Sequence, residues 1–272
     1  MNIISFNTNS IRIRLHQLAE LINKYQPDVI GIQETKVQDA DFPVEAIAEL
    51  GYQSAFHGQK THYGVALLSK QPLADVQKGF PGDADNAQRR FIGGTLSQAD
   101  GSKLHVLNGY FPQGENREHP EKFANKRQYY ADLLAYLQAQ FNPESDQLIL
   151  MGDMNVAPLD LDVGIGEANA KRWLKTGACS FLPEEREWLD TLMNWGLVDS
   201  FRSCHPHAED ALSWFDYRSK GFNKDPRRGL RIDLILASKA LADQCVDAGI
   251  DYDIRAMDKP SDHCPIWASF RS

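Results

Sequence analysis

Leu148-Ile149-Leu150-Met151-Gly152-Asp153-Met154-Asn155 reads as a buried strand running into a polar end, and the architecture of the chain can be built around it. The apolar run stops at Gly152, and a carboxylate and a carboxamide then occupy alternate positions, Asp153 and Asn155. In extended chain alternate side chains share a face, so an acceptor and a donor emerge side by side at a strand end. Such a pair suits metal-assisted hydrolysis. The carboxylate can hold a metal or orient a water, and the amide can hold a phosphate or carbonyl oxygen. An ordinary strand-to-loop junction also uses these residues, because Asp and Asn both favour turns.

The elements on either side alternate. Residues 2–6 read as a strand. Leu15, Leu18, Ile22 and Tyr25 fall at helical spacing, so residues 14–25 form an amphipathic helix that Pro27 ends. Residues 29–32 read as a short buried strand, and residues 63–69 and 104–111 as further strands. Phe123, Tyr130, Leu134, Leu137 and Phe141 mark one face of a long helix. Pro183 opens a helix carrying Trp188, Leu189, Leu192 and Trp195, and Gly196 closes it. Residues 232–237 and 265–270 are late strands. No repeat, low-complexity tract or Pro/Gly/Ser linker interrupts the pattern. One α/β-layered domain built on packed sheets, spanning residues 1–272, is expected.

At 272 residues, 42% hydrophobic and 24% charged, the composition is that of an ordinary globular protein. Cys179, Cys204, Cys245 and Cys264 are far apart and form no metal-type or redox pair in sequence, which is compatible with a reducing cytosol. The opening Met1-Asn2-Ile3-Ile4-Ser5-Phe6 lacks the regions of a signal peptide, and no apolar run is long enough to span a membrane. A cytoplasmic protein without a membrane partner is expected. The net charge of −8 argues mildly against a polyanionic partner, but charge acts locally, over a Debye length of about 10 Å. Arg218, Lys220, Lys224, Arg227, Arg228 and Arg231 outnumber Asp216 and Asp225 between Trp214 and Arg231. Lys171, Arg172 and Lys175 flank Trp173, Arg89 and Arg90 are adjacent, and Lys122, Lys126 and Arg127 sit near Tyr129 and Tyr130. Such clusters can grip a polyanion and stack on bases, or can be solvated charged faces.

Placed on this map, polar residues gather at strand ends. Asn7 follows the first strand, and Gln33 and Glu34 the second. Tyr110 ends the strand from Leu104, with Gln113 just beyond. Asp233 lies among apolar neighbours, where an ionised carboxylate needs a partner. Ser261-Asp262-His263 precedes the final strand. Asp262 could hydrogen-bond His263, fixing its tautomer and supporting its protonated form, if the loop turns suitably.

The combination resembles the exonuclease III family of DNA-repair nucleases, within the endonuclease/exonuclease/phosphatase superfamily. The resemblance runs from Ser5-Phe6-Asn7 to Trp267. It is carried by Gln33-Glu34-Thr35-Lys36, His62-Tyr63-Gly64-Val65-Ala66, Asn108-Gly109-Tyr110-Phe111-Pro112-Gln113-Gly114, Gly152-Asp153-Met154-Asn155, Ser213-Trp214-Phe215-Asp216-Tyr217-Arg218, Arg231-Ile232-Asp233 and Ser261-Asp262-His263. Thr8-Asn9-Ser10, Cys264 and the basic loop at residues 224–228 depart from the family pattern without removing a chemical group.

The resemblance implies a DNase I-like, four-layered α/β/β/α sandwich of two mixed sheets flanked by helices. It implies a bacterial, Mg²⁺-dependent phosphodiesterase, with Mn²⁺ as a substitute. The expected activities are 3′→5′ exonuclease on double-stranded DNA, nicking 5′ to abasic sites, and 3′-phosphatase. The partner would be double-stranded DNA with abasic sites or blocked 3′ ends, met as a monomer. Glu34 would hold the metal with Asn7 close by, and Asp153, Asn155, Asp262 and His263 are the other candidate groups around it. His263, supported by Asp262, would neutralise the phosphate or deprotonate the water. Asp153 is the competing base, and the sequence leaves that choice open. Asn155 would bind a phosphate oxygen, Tyr110 would donate to the phosphate, and Asp233 would orient its neighbours. Trp214, Phe215 and Leu230 match the family's pocket for a base-free sugar, and Arg90, Gln113 and Lys122 would contact backbone phosphates. Two rival readings are a superfamily phosphatase acting on a lipid or inositol phosphate and a catalytically silent DNA-binding module.

Overall fold

In the computed structural model, which describes residues 1–98 and 100–271, the run through Leu148 is strand β8 (Gln147–Asp153), buried on both faces. Ile149 and Met151 point into a core shared by two sheets, and Leu148 and Leu150 point to the opposite side, under helices. Burial on both faces is why this strand reads as a continuous apolar run rather than an alternating one.

Among the described residues, the sheets have six strands each. The first contains β1 (Asn2–Asn7), β2 (Val29–Gln33), β3 (Gln53–His57) and β4 (Val65–Ser69), together with β11 (Cys245–Ile250) and β12 (Ile266–Phe270), in the order β11-β12-β1-β2-β4-β3. The second contains β5 (Ala74–Lys78), β6 (Phe91–Ser97), β7 (Lys103–Tyr110), β8, β9 (Leu197–Asp199) and β10 (Asp233–Ser238), in the order β5-β6-β7-β8-β10-β9. Ile3, Val29, Val65 and Leu67 meet Ile92, Val106, Ile149 and Ile235 between the sheets. Helix α1 (Ile11–Tyr25) covers the first sheet through Leu18, Leu21 and Ile22. Helices α3 (Lys122–Gln140) and α5 (Pro183–Gly196) cover the second through Tyr130, Leu133, Leu189 and Leu192. This is the four-layered α/β/β/α sandwich that the family resemblance implies.

The topology brings six chain ends to one edge of the sandwich. β1 and β2 run parallel and finish there, as do β7 and β8. β10 is antiparallel to β8 and β12 is antiparallel to β1, so both begin there. Tyr110 pairs in register with Asp153, and Asp153 with Asp233. A Cβ on Gly152 would lie 1.9 Å from the Gly109 carbonyl oxygen, so a glycine is needed where β7 and β8 approach beside this edge. A buried polar seam fixes one sheet against the other. Asn108 Nδ2 donates to the carbonyls of Ile32 (2.9 Å) and Ala66 (2.8 Å), and Gln33 Nε2 donates to Asn108 Oδ1 at 2.6 Å.

Several elements escape a pattern-based reading. Strand β6 contains Gly93-Gly94, which looks like a break. Its Cβ-free backbone instead accommodates Leu107, which an added Cβ on Gly93 would meet at 2.7 Å. Helix α4 (Glu167–Thr176) fully buries none of its residues and packs only Ala170 and Trp173 on a small cluster, so its apolar stripe is too narrow to stand out in sequence. Strand β4 starts at Val65 rather than 63, because Tyr63 and Gly64 have φ of +56° and +87°. Among the described residues no helix is long and apolar enough to cross a membrane.

Candidate active site

The six chain ends enclose a pocket of about 180 Å³ lined by Glu34, Tyr110, Gln113, Asp153, Asn155, Trp173, Trp214, Leu230, Asp262 and His263, among others. Asn7 lies beneath it. Its Nδ2 donates to Glu34 Oε1 and Asp153 Oδ2, both at 3.0 Å, while its Oδ1 accepts the Asn9 N–H at 3.0 Å. Asn7, expected among the metal ligands, clamps the two carboxylates through its nitrogen and keeps one lone pair of its oxygen free of the Asn9 bond. Lys36 Nζ lies 2.9 Å from the other Glu34 oxygen.

His263 is held by Asp233, not by Asp262. Its Nδ1 lies 2.9 Å from Asp233 Oδ2, which also accepts the Ser213 hydroxyl at 2.6 Å, and its Nε2 lies 3.7 Å from Asp153 Oδ2. The expected Asp262 support is corrected: the chain bends at Asp262 and its carboxylate is taken by other donors. Asp262 instead accepts from Asn9 Nδ2 (2.9 Å) and the Trp214 indole N–H (3.2 Å), so it fixes the pocket wall. Serving these two donors also leaves it outside the tight group of metal-facing atoms.

Electrostatics differentiates the acids. Burial pushes Asp153 up to about 7. His263 opposes that, and Asp233 and Glu34 reinforce it. For His263 burial disfavours the imidazolium, but Asp233 and Asp153 outweigh it and lift the ring to about 10. In the metal-free protein at neutral pH the imidazole is thus a buried cation. Burial, reinforced by Glu34, raises the Tyr110 phenol well above its ordinary value, leaving it a neutral donor.

Ligand atoms of Glu34, Asp153 and His263 lie within 4.8 Å of one another. Two carboxylates at a strand edge, one of them pushed toward neutrality, form a hard-oxygen site that a divalent cation would relieve. Asn155 sits at φ +53°, with its N–H on Asp153 Oδ1 (3.0 Å) and its Nδ2 on the Phe111 carbonyl (2.9 Å).

The expected DNA-contacting residues divide. Trp214 and Leu230 line the pocket, and Gln113 stands exposed at its rim. Phe215 is fully buried, stacked edge-on against Phe222 and Tyr252, so it braces the wall from behind and is not part of the pocket. Arg90 is buried under the rings of Tyr63 (4.2 Å) and Tyr110 (4.6 Å), and it donates to Gln88 and to the Tyr110 carbonyl. Its guanidinium holds Tyr110 in place. Lys122 is exposed and paired with Glu115. Arg231 and Lys126 leave the basic surface altogether. Arg231 is buried against Asp162 and Asp199, and Lys126 against Glu185. Sequence reasoning missed Asn9, Ser213 and the pocket role of Trp173. Only the position of Ser213 beside Trp214 offered a signal.

Comparison with known proteins settles the family. The model of the Endonuclease/Exonuclease/phosphatase family matches residues 4–263. The chain belongs to that family. It is 58% identical over the full length of both chains to exodeoxyribonuclease III of Haemophilus influenzae, and so is a homologue of that hydrolase. Among solved structures, it matches the 3′ phosphatase NExo from Neisseria bound to a product DNA hairpin, with a TM-score of 0.88, 35% identity and full coverage of both chains. It also matches an AP endonuclease from Archaeoglobus fulgidus, with a TM-score of 0.89, 34% identity and full coverage of both.

Proposed function

We propose that this family member is a Mg²⁺-dependent DNA-repair phosphodiesterase. It would cut 3′→5′ on double-stranded DNA, nick 5′ to abasic sites and remove 3′-phosphates, acting as a cytoplasmic, single-domain monomer over residues 1–272. The observation that carries this reading is the convergence of Glu34, Asp153, Asn155, Tyr110 and His263 on one pocket walled by Trp214 and Leu230.

Phosphodiester hydrolysis needs a positioned water, neutralised phosphate oxygens and an in-line leaving group. Glu34 would hold the Mg²⁺, which would supply Lewis-acid stabilisation of phosphate charge, and Mn²⁺ would suit the same donors. Asp153 takes the water's proton. Its pKa of about 7 is that of a base matched to neutral operation. The His263 imidazolium, oriented by Asp233, neutralises a non-bridging oxygen. The Asn155 amide and the Tyr110 phenol donate to the phosphate. A base-free sugar fits against Trp214 and Leu230, and extruding it costs less than unstacking an intact nucleotide.

The test is a duplex carrying an abasic analogue, set against intact duplex and an inositol phosphate. Mg²⁺ should produce nicking 5′ to the lesion and EDTA should abolish it. Folded protein that leaves the lesion uncut with Mg²⁺, or turns over the inositol phosphate instead, contradicts the reading.

A further inference from the structure

In the basic and aromatic run from Lys122 to Tyr130, which in sequence resembles a DNA-facing cluster, Lys126, Tyr129 and Tyr130 turn inward and serve the backbone of the site loops, while Lys122 and Arg127 stay exposed. The Tyr129 hydroxyl donates to the Arg90 carbonyl at 3.1 Å, and the Tyr130 hydroxyl to the Met154 carbonyl at 2.8 Å. Lys126 does more. Its ammonium group has three N–H donors and meets three acceptors: Glu185 Oε1 at 2.5 Å, the Asn155 carbonyl at 2.8 Å and the Gln113 carbonyl at 3.2 Å. Both side chains of the ion pair are fully buried. Glu185 is anchored in turn, since its Oε2 accepts the Leu182 N–H at 2.9 Å at the start of α5.

We propose that Lys126 is a positioning residue that sets the Asn155 amide and the Gln113 loop in one geometry. The inference rests on the proposed phosphate-holding role of Asn155. Asn155 is in left-handed backbone conformation, which Asn adopts more readily than other non-glycine residues, and three partners fix it there in one orientation. Asp153 fixes its N–H, Phe111 accepts from its side chain, and Lys126 holds its carbonyl. Without the ammonium the peptide after Asn155 is free to rotate, and the amide turns with it. Gln113 shares the same donor, so the grip on the phosphate and the rim of the pocket are set by one group. The chain makes room for this arrangement. A Cβ on Gly114 would lie 3.0 Å from both Cys179 Sγ and Lys126 Cδ, and Gly114 sits at φ +88°.

Removing Lys126 alone would strand the buried Glu185 carboxylate, so the test uses Lys126→Met together with Glu185→Gln. Turnover and KM for the abasic-analogue duplex with Mg²⁺ are measured at a temperature where circular dichroism shows the fold intact. The same pair is then measured in an Asn155→Ala background. A small misplacement of a reacting group costs on the order of 10- to 100-fold, so kcat should fall at least about tenfold. KM should rise as the Gln113 rim loosens. In the Asn155→Ala background the further loss should shrink to about twofold or less, because nothing is left to position. A folded double variant with kcat within about twofold of wild type overturns the inference, as does a loss that multiplies unchanged onto that of Asn155→Ala. If Asn155→Ala itself turns over like wild type, the phosphate role of Asn155 fails, and the inference fails with it. Should the double variant not fold, Gly114→Ala presses on the same lysine stem, and equally on Cys179 Sγ, while keeping every charge, and Gly114→Ala with Cys179→Ala isolates the pressure on the lysine. It should show the same Asn155-dependent loss, and a folded Gly114→Ala protein with wild-type turnover overturns the proposal.

Discussion

At the floor of the pocket Asn7, Asp153, Asp233 and His263 are each buried, and each has a partner fixed by a strand end or by the turn before one. At the rim, the segment holding Arg218, Lys220, Lys224, Arg227 and Arg228 is exposed. There Arg227 lies over the rings of Phe222 and Tyr252, and Ser219 closes a turn on Asp216. The floor therefore inherits the rigidity of two packed sheets, and a small change in any member disturbs its neighbours. Exposed charges of this kind act on a polyanion through their sum, so no single one of them should be indispensable. Chemistry and grip should accordingly fail in different ways.

The largest separation between the two regions should come from Asp153→Asn. Loss of the base should lower kcat on the abasic-analogue duplex by on the order of 10³, with binding of the uncut duplex little changed. A loss confined to binding would move Asp153 out of the chemistry.

An intermediate effect is written in the pH dependence of stability. His263 titrates near 10 in the folded protein against an ordinary value near 6.5, so above neutrality the folded state binds the extra proton. The stabilisation it gives is fully present below about 6.5 and is lost as pH climbs toward 10. Thermal unfolding of the metal-free protein should therefore show Tm falling between pH 7 and 9.5. Asp233→Asn should flatten that slope, and an identical slope in the variant would separate the two groups.

The smallest effects belong to the rim. Arg227→Ala and Arg228→Ala should each weaken DNA binding across sequences. Each should also reduce the slope of log affinity against log salt by about one. A salt slope that does not move would take these side chains off the footprint.

Much of the floor was legible in sequence because strand-end positions are visible as polar residues at the close of apolar runs: Glu34 after Val29-Ile30-Gly31-Ile32, Tyr110 after Leu104, and Asp153 after Leu148-Ile149-Leu150-Met151. The two-layered core was legible for the same reason. The choice of partner across space was not. Asp262 adjoins His263 in the chain but points away, and Asp233 reaches the ring only because β10 pairs with β8. Buried charge was equally hidden. Arg231 and Lys126 look like members of basic surface clusters, and only the folded chain brings Asp162, Asp199 and Glu185 to neutralise them. Phe215 and Trp214 differ in role because consecutive side chains alternate between wall and core.

Asp233 and Asp262 offer the most direct measurement of whether the floor works as described. The single-turnover nicking rate on abasic-analogue duplex is compared for Asp233→Asn and Asp262→Asn at saturating protein and Mg²⁺. Losing the carboxylate that orients the imidazole should cost on the order of 10³, whereas Asp262, acting through Trp214 and Asn9, should cost about tenfold. Equal losses, or a larger loss for Asp262→Asn, would contradict the account.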